Sequence, residues 1–196
     1  MTITRASFRY GTDYQIKALK RRKPAGLYNK LKNIILIGMP GCGKSTVGVL
    51  LAKALGTGFI DTDLIIQVQQ RNTLQRLIEA CGLEKFRCFE ESALLSVTEQ
   101  SDMVIATGGS AIFCNNGMDH LKRSGVCVYL KLPLNELRMR LSNIKTRGIA
   151  CKQGETLDEI MSLRGPLYER YSDITIDCSG KNCEDTLEQI IKSVTV

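Results

Sequence analysis

The chain has little of the chemistry that zinc sites and disulfide frameworks require. It contains one histidine, His120, and its eight cysteines include no C-x-x-C pair. Because a zinc site needs several closely spaced nitrogen or sulfur ligands, we expect none here. Several cysteines lie in apolar stretches, such as Cys127 within residues 126–130, where a reduced thiol packs as a small hydrophobe. This pattern indicates a reducing compartment, and we expect a cytoplasmic protein.

Long apolar runs are also missing. No stretch approaches the roughly 20 residues of a membrane span, so no membrane partner is expected. The first residues lack the apolar core of a secretory signal. At 196 residues, the chain suffices for one well-buried α/β domain, which we place at residues 33–196, and leaves little for a second.

The excess positive charge lies at the start of the chain. Residues 1–32 hold nine of the 27 lysines and arginines but one of the 20 acidic residues, so this stretch carries +8 and the remainder −1. Such an extension is predicted to be disordered, with an organelle-targeting peptide and an anion-binding arm as alternatives. Because the remainder supplies neither a basic face nor clustered aromatic residues, a nucleic-acid partner is not expected.

Beyond residue 32, short apolar runs alternate with amphipathic patterns. The runs are apolar on both faces, which is typical of parallel strands covered by helices. They occupy residues 33–37, 58–60, 103–107, 126–130 and 174–177. Helical patterns occupy residues 44–55, 64–70, 74–81, 83–98, 118–124, 134–142, 157–171 and 183–194. The alternation predicts an α/β fold, a three-layer sandwich with a central five-stranded parallel sheet that binds ligands at the carboxyl ends of its strands.

A glycine-rich motif, GMPGCGKST at residues 38–46, directly follows the first predicted strand. Its glycines allow backbone N–H groups to converge on a polyphosphate, and the next helix adds the positive end of its dipole. Lys44 is expected to reach the β- and γ-phosphates, and the Ser45 hydroxyl to ligate Mg²⁺. The motif predicts that the chain binds a nucleoside triphosphate. The other expected contacts are Gly38, Gly41, Cys42, Gly43 and Thr46.

Two acidic residues, Asp61 and Asp63, follow the second predicted strand. In an extended segment, carboxylates two residues apart share a side. Beside a phosphate-binding motif, Asp61 is expected to hold Mg²⁺ directly or through water, and Asp63 to bind a substrate hydroxyl and take its proton. The alternative interpretation is that Asp61 ends the strand and Asp63 caps the next helix.

Arg87 and Glu90 lie three residues apart on a predicted helix. They can form an ion pair that orients Arg87 toward a carboxylate, or an ordinary surface salt bridge. Gly108 and Gly109 end the third predicted strand, and glycines there suit close approach of a ligand to the backbone.

Two features of the last third of the chain concern backbone conformation. Residues 143–155 are polar and predict a mobile loop. Arg164 and Pro166 lie within a helical pattern, and an interior proline predicts a break or kink there.

Together these motifs resemble the shikimate kinase family, small members of the nucleoside-monophosphate-kinase-like P-loop fold. The resemblance covers roughly residues 33–194. It is carried, in order, by residues 38–46, Asp61-Thr62-Asp63, Phe86-Arg87 with Glu90, Ala106-Thr107-Gly108-Gly109, Arg140, Arg147 and Arg164 before Pro166-Leu167-Tyr168. It implies a kinase that uses ATP and Mg²⁺ to phosphorylate the 3-hydroxyl of shikimate in aromatic amino-acid biosynthesis, and we expect a monomer.

The resemblance also implies roles for individual residues. Arg87 and Arg164 would grip the substrate carboxylate, and Asp63 would contact ring hydroxyls above Gly108 and Gly109. Lys44 and Arg147 would surround the transferred phosphoryl group, and Ser45 and Asp61 would bind Mg²⁺. Arg140 would lie over adenine. The resemblance also implies a lid at about 143–155 and a substrate-binding region at about 62–90.

Two positions depart from the family pattern. The usual third glycine is Ser110, and the usual Arg-Pro-Leu-Leu of the lid reads Arg147-Gly148-Ile149-Ala150. Loss of the proline raises the entropic cost of ordering the lid. Two alternatives therefore stay open: a related small-molecule kinase such as a gluconate kinase, and a nucleotide-binding regulatory protein without turnover.

Overall fold

The computed structural model describes residues 32–98, 102–141, 149–152 and 154–194. The strands are β1 (Asn33–Ile37), β2 (Gly58–Asp61), β3 (Met103–Ala106), β4 (Gly125–Lys131) and β5 (Ile174–Asp177). The helices are α1 (Lys44–Leu55), α2 (Thr62–Gln70), α3 (Leu74–Ser96), α4 (Asn115–Ser124), α5 (Leu134–Arg140), α6 (Leu157–Tyr171) and α7 (Cys183–Val194), with a 3-10 turn at Ala111–Phe113. Within these described ranges, no helix is long and apolar enough to cross a membrane.

The five strands form one parallel sheet in the order β2-β3-β1-β4-β5. On the central strand β1, Ile35 lies opposite Ile105 of β3 and Cys127 of β4. Because the strands are parallel, the segments that follow β2, β3 and β1 emerge side by side at the carboxyl edge of the sheet. The topology therefore brings together the acidic pair, the glycine pair and the phosphate-binding motif.

The core is built on the central strand, which is buried on both faces. Ile35, Leu36 and Ile37 have no exposed surface, and burial of each such side chain contributes about 1.5–3 kcal/mol. Helix α1 packs against β3 and α7, whereas α3 packs against α4. Helices thus cover the sheet in two layers, and the predicted α/β/α sandwich with five parallel strands is confirmed.

Helix α2 begins two residues earlier than predicted. Strand β2 extends through Asp61, whose side chain caps α2 by accepting a hydrogen bond from the Asp63 N–H at 3.0 Å. The premise that both aspartates lie in one extended segment is therefore wrong, since Asp63 belongs to the first turn of α2. The acidic residue that caps this helix is Asp61 rather than Asp63.

Two further helices differ from the sequence prediction. The predicted helices at 74–81 and 83–98 are the two parts of α3, and they meet at Gly82, whose φ of 76° and ψ of 170° are not helical. The predicted break in α6 is wrong, because the helix continues through Pro166. Its inner face keeps Ile160, Arg164 and Tyr168 buried, and this packing outweighs the hydrogen bond that a proline cannot donate.

Candidate active site

A cleft of about 650 Å³ opens at the carboxyl edge of the sheet. Two groups of side chains meet in its wall, one from the phosphate-binding motif and one from the helices and turns around it. The first comprises Gly41, Gly43, Lys44, Ser45 and Thr46, and the second includes Asp63, Glu90, Gly109, Ser110, Arg140 and Arg164. Most of the predicted contacts therefore face one common space.

The phosphate-binding motif adopts a backbone that only glycines accept readily. Gly38, Gly41 and Gly43 have φ values of 144°, 80° and 103°, in the region that L side chains avoid. A side chain on Gly38 would also meet the Leu130 carbonyl oxygen at 2.8 Å. The loop is thus held tightly against the end of β4, and Gly43 leads directly into α1.

Lys44 is buried at the start of α1, and its ammonium lies within the loop. Nζ donates hydrogen bonds to the Gly38 carbonyl at 2.8 Å and to the Met39 carbonyl at 2.9 Å, and lies 3.8 Å from the Cys42 sulfur. The cation is therefore satisfied by groups of the loop itself. Cys42 is 3 % exposed, so its thiol packs inside the loop instead of lining the cleft.

Asp63 faces the cleft from the first turn of α2. Burial raises the pKa of its carboxyl to about 6, the charge of Asp61 adds to the rise, and the charge of Lys44 opposes it. Asp63 thus lies close enough to Lys44 for their charges to interact. Asp61 lies outside the cleft wall and is engaged in capping α2.

Gly108 forms the floor beneath two carboxylates. A side chain at this position would meet Asp63 Oδ1 at 2.7 Å and Glu90 Oε1 at 2.8 Å. The Gly108 N–H donates to Thr62 Oγ1 at 3.1 Å, and Tyr168 Oη donates to the Gly109 carbonyl at 2.6 Å. The glycine pair is therefore fixed from both sides and leaves room for acidic groups above it.

Glu90 is buried and bonded to Ser110. Ser110 Oγ donates to Glu90 Oε1 at 2.6 Å, whereas Glu90 Oε2 is buried without a hydrogen-bond partner in the described part of the chain. Burial raises the pKa of the Glu90 carboxyl to about 7, against the lowering effects of Ser110, Arg164 and Arg87. The expected ion pair of Arg87 with Glu90 does not form among the residues described, because Ser110 takes the carboxylate.

Arg87 and Arg164 come together around one aromatic ring. Their guanidinium carbons lie 4.6 Å and 5.7 Å from the centroid of Phe113. Arg164 donates to the Ala150 carbonyl through Nη2, and its buried Nη1 has no partner within the described residues. The two arginines that sequence reasoning assigned to one ligand are thus neighbours in space, although Arg87 lies outside the cleft wall.

The far end of the cleft is formed by α5 and the start of α7. Arg140 and Cys183 line it, and Arg140 pairs with Glu136 at 3.7 Å. Glu136 also accepts a hydrogen bond from the Gly180 N–H at 2.9 Å, which ties the segment before α7 to α5. The Arg140 guanidinium thus stays partly exposed, with 40% of its side chain accessible, at this end of the cleft.

Sequence reasoning missed Phe113, the Ser110 bond to Glu90 and the carbonyl of Ala150. The only signal was the departure from the family pattern at positions 110 and 150. Arg147, most of the expected lid at 143–155 and nearly all of the extension at 1–32 lie outside the described residues, so those expectations remain predictions.

The fold and the cleft define a class of protein, the P-loop phosphotransferases. The phosphate-binding motif faces acidic and basic side chains across one cleft. A family model described as shikimate kinase matches residues 40–195. A shikimate kinase of Thermodesulfovibrio yellowstonii is 35% identical over 164 residues, 83% of this chain and 94% of that protein. The chain belongs to the shikimate kinase family.

Solved structures agree with this assignment. A shikimate kinase from Acinetobacter baumannii in complex with shikimate has a TM-score of 0.78 and 32% identity, over 84% of this chain and 93% of that one. A thymidylate kinase from Candida albicans, at 12% identity, has a TM-score of 0.57 over 84% of this chain and 91% of that one. The second likeness shows the fold alone, which nucleoside-monophosphate kinases share.

Proposed function

We propose that the chain is an ATP-dependent kinase that phosphorylates the 3-hydroxyl of shikimate. The observation that carries the proposal is the common cleft of Lys44, Asp63 and Arg164, in a chain whose family consists of shikimate kinases. A cation for phosphates, a buried carboxylate for a hydroxyl and a buried arginine for a carboxylate match the groups of ATP and of a hydroxylated acid.

Asp63 is proposed to accept the proton of the attacking hydroxyl. The hydroxyl oxygen forms a bond to the γ-phosphorus as the bond from that phosphorus to the β,γ-bridging oxygen breaks, and ADP leaves. Lys44 would exchange the carbonyls of Gly38 and Met39 for phosphate oxygens, so that its charge stabilises the transferred group. Arg147 remains a predicted second cation at this point.

Ser45 and Asp61 are proposed to serve Mg²⁺, which would neutralise charge on the phosphates. A hydroxyl in the cleft wall and a nearby carboxylate are the oxygen donors that this ion prefers. Because Asp61 Oδ1 already caps α2, we assign Asp61 a contact with Mg²⁺ through a water molecule instead of direct ligation. Its charge raises the pKa of Asp63, and a divalent cation would offset that effect.

Arg164 and Arg87 are proposed to bind the substrate carboxylate. Arg164 is 2 % exposed, and its Nη1 has no hydrogen-bond partner among the residues that the structure describes. A buried guanidinium in this state favours an anionic ligand, because an unmet donor is costly. Arg87 lies near the same Phe113 ring. Arg140 is proposed to lie over adenine at the far end of the cleft.

The two alternatives differ from this proposal in acceptor and in turnover. A gluconate kinase would need the same phosphate-binding half, but the family match favours shikimate. A regulatory protein without turnover would not need a buried carboxylate beside Lys44. Both alternatives are therefore less well supported than shikimate phosphorylation.

A coupled ADP-release assay tests the proposal with shikimate and gluconate as separate acceptors. We expect sustained ADP release with shikimate and a fall in kcat of about 10²–10⁴-fold in Asp63→Asn, since general bases contribute about this much. Turnover with gluconate alone would support the first alternative. Nucleotide binding without turnover of either acid would support the second.

We further propose a cytoplasmic monomer without a nucleic-acid partner, with organelle targeting through residues 1–32 as the alternative. The free thiols among the described cysteines support a reducing compartment. Fluorescence microscopy of the full chain and of a variant without residues 1–32 separates the two locations. Salt-sensitive nucleic-acid binding that disappears with residues 1–32 would contradict the assignment of partners.

A further inference from the structure

Tyr168 on α6 is completely buried and lies behind the wall of the cleft. It has no exposed surface, so it acts on a ligand only through the groups around it. Its Oη donates a hydrogen bond to the Gly109 carbonyl at 2.6 Å. Burial raises the pKa of this hydroxyl, which therefore stays protonated and remains a donor at neutral pH. A residue of the cleft wall is thus held by a side chain that the substrate does not contact.

The hydrogen bond from Tyr168 fixes one peptide unit of the cleft wall. It is the one hydrogen bond that the described residues donate to the Gly109 carbonyl. Because a peptide unit is planar and trans, the direction of this carbonyl also sets the direction of the Ser110 N–H. Gly109 and Ser110 both line the cleft. Loss of the Tyr168 hydroxyl would therefore leave this peptide unit free to tilt.

Gly109 also rests against the phosphate-binding motif. A side chain at this position would meet Pro40 Cγ at 2.7 Å and Pro40 Cδ at 2.8 Å, so the Gly109 backbone lies in direct contact with the proline ring. Pro40 belongs to the motif and lines the same cleft. The Gly109 peptide is therefore held by the motif at its Cα and by Tyr168 at its carbonyl.

The ring of Tyr168 is supported in turn by Tyr129 of β4, and we call these two residues the tyrosine pair. Their ring centroids lie 5.1 Å apart with 22° between the ring planes, and aromatic pairs favour stacking at about this separation. The Tyr129 ring also reaches the phosphate-binding motif, because a side chain on Gly38 would lie 3.5 Å from Tyr129 Cδ2. The tyrosine pair thus contacts both the motif and Gly109.

We propose that Tyr168 is a positioning residue for phosphoryl transfer: its hydroxyl fixes the Gly109 peptide, and the tyrosine pair sets that peptide relative to the phosphate-binding motif. The inference rests on the proposed function and adds to it a residue outside the cleft. Transfer requires the acceptor hydroxyl to face the γ-phosphorus closely, and a displacement on the order of 1 Å can lower the rate about 10²-fold. The peptide beneath the acceptor must therefore keep a fixed distance from the motif that binds the phosphates.

A purely structural role for Tyr168 makes a different prediction. If Tyr168 contributed only to the stability of the core, loss of its hydroxyl would lower the free energy of unfolding and leave the kinetics of the folded protein unchanged. If Tyr168 positions Gly109, the same loss lowers kcat/KM for shikimate in folded protein, while ATP keeps its contacts with the motif. Separate measurement of the KM values for shikimate and ATP therefore distinguishes the two roles.

The experiment compares Tyr168→Phe with two matched controls, each of which also loses one tyrosine hydroxyl. Tyr171→Phe removes a hydrogen bond made by another buried tyrosine of α6, since Tyr171 Oη donates to Asn115 Oδ1 at 2.7 Å, away from the cleft wall. Tyr129→Phe removes the hydroxyl of the other ring and keeps the stack. Steady-state kinetics are measured with shikimate and ATP as the varied substrates, after circular dichroism has shown that each variant is folded.

We expect Tyr168→Phe to lower kcat/KM for shikimate by about fivefold to fiftyfold, with the KM for ATP within about twofold of the parent value. Both controls should keep the parent kinetics, although Tyr171→Phe should lower the stability. Kinetics of Tyr168→Phe that match those of Tyr171→Phe would overturn the inference. An equal rise in the KM for ATP and the KM for shikimate in Tyr168→Phe would also overturn it.

Tyr129→Leu decides the matter if Tyr168→Phe does not fold. It removes the ring that stacks on Tyr168 and contacts Gly38, so the KM for shikimate and the KM for ATP should both rise, and unchanged values would overturn the inference. Failure of the parent protein to phosphorylate shikimate would refute the proposed function. Normal turnover of shikimate by the parent and by Tyr168→Phe would refute only the role of Tyr168.

Discussion

Asp63 and Glu90 share a small volume above Gly108, where a side chain would meet both carboxylates within 3 Å. Burial is the largest cause of the raised pKa of each, and the charge of Asp63 raises that of Glu90 further. At the residue scale, the acceptor site therefore contains two carboxyl groups whose ionisation is disfavoured by burial. The arginines and Lys44 reduce this cost but do not remove it.

Asp63→Asn is expected to stabilise the protein at neutral pH while it lowers kcat by about 10²–10⁴-fold. The folded-state pKa of about 6 exceeds the unfolded value near 3.8, so the native state binds more protons and loses stability as the pH rises between these values. Removal of the charge should add up to about 3 kcal/mol to the free energy of unfolding at pH 7.5.

Urea unfolding at pH 7.5 and pH 4.5 measures this effect, with the exposed Asp119→Asn on α4 as the control. The gain should shrink at the lower pH, and the control should change by less than about 0.5 kcal/mol. If Asp63→Asn is as stable as the parent protein at pH 7.5, or less stable, then the ionised Asp63 carboxylate does not lower the free energy of unfolding.

The sequence predicted Lys44 and Asp63 correctly as residues of one cleft, because each follows a strand in a recognisable motif. It did not predict that Glu90 bonds to Ser110 instead of Arg87. Helical spacing indicates which residues can meet on one helix, whereas the Ser110 contact joins positions 20 residues apart. Such a contact depends on how α3 packs against the turn after β3.

Helix α3 shows how an element is shaped by one residue. Gly82 has a φ of 76° and a ψ of 170°, and no atom lies within 4 Å of an added side chain. The kink therefore follows from backbone conformation and not from crowding. It directs the first part of the helix, with Leu74, toward the cleft wall.

Gly82→Ala is expected to lower stability by about 1–3 kcal/mol, because alanine is strained in this conformation. It should also raise the KM for shikimate, since relief of the strain re-aims the start of α3. Gly56→Ala is the matched control: Gly56 has a φ of 65° and equally open surroundings at the end of α1.

Chemical denaturation and steady-state kinetics check the pair. Gly56→Ala should lose stability without a change in KM. If Gly82→Ala leaves both the stability and the KM at their original values, the kink does not shape the acceptor site.

The ends of helices were predicted correctly where a residue gives a local signal. The predictions were wrong where tertiary packing determines whether a helix begins or continues. Gly82 correctly separated two helical segments. The alternative interpretation named Asp63 as the cap of the next helix, whereas the structure has Asp61 capping α2. Pro166 predicted a break that the buried face of α6 overrides, because a periodicity argument does not measure how much of that face is buried.

At the scale of the whole molecule, the strand order places the site. Strands β2, β3 and β1 are neighbours, so the motifs that follow them converge although they are far apart in the chain. The alternation of strands and helices predicted this convergence at the carboxyl edge. The resemblance implied Arg140 at the nucleotide, whereas the contribution of Cys183 at the same end of the cleft follows from the position of α7 and was not predicted individually.

The cysteines provide a probe of the whole fold. Cys88 and Cys183 are exposed, whereas Cys114 and Cys127 are buried with their thiol pKa values raised to about 12. Iodoacetamide should therefore modify the first two and spare the second two, since the thiolate is the reactive form.

MgADP should slow the modification of Cys183, which lines the cleft, and leave Cys88 unaffected as an internal control. Mass spectrometry of tryptic peptides measures each rate. Equal protection of both cysteines, or of neither, would contradict the position assigned to the nucleotide.

The most direct test of the central claim is phosphorus NMR of the protein incubated with ATP, Mg²⁺ and shikimate. The claim is that one cleft brings the γ-phosphate to a hydroxyl of shikimate beside Asp63. It predicts a growing phosphomonoester signal of shikimate phosphate together with ADP, and growth about 10²–10⁴-fold slower in Asp63→Asn. Release of inorganic phosphate alone, or a phosphomonoester that still forms at the full rate in Asp63→Asn, would contradict it.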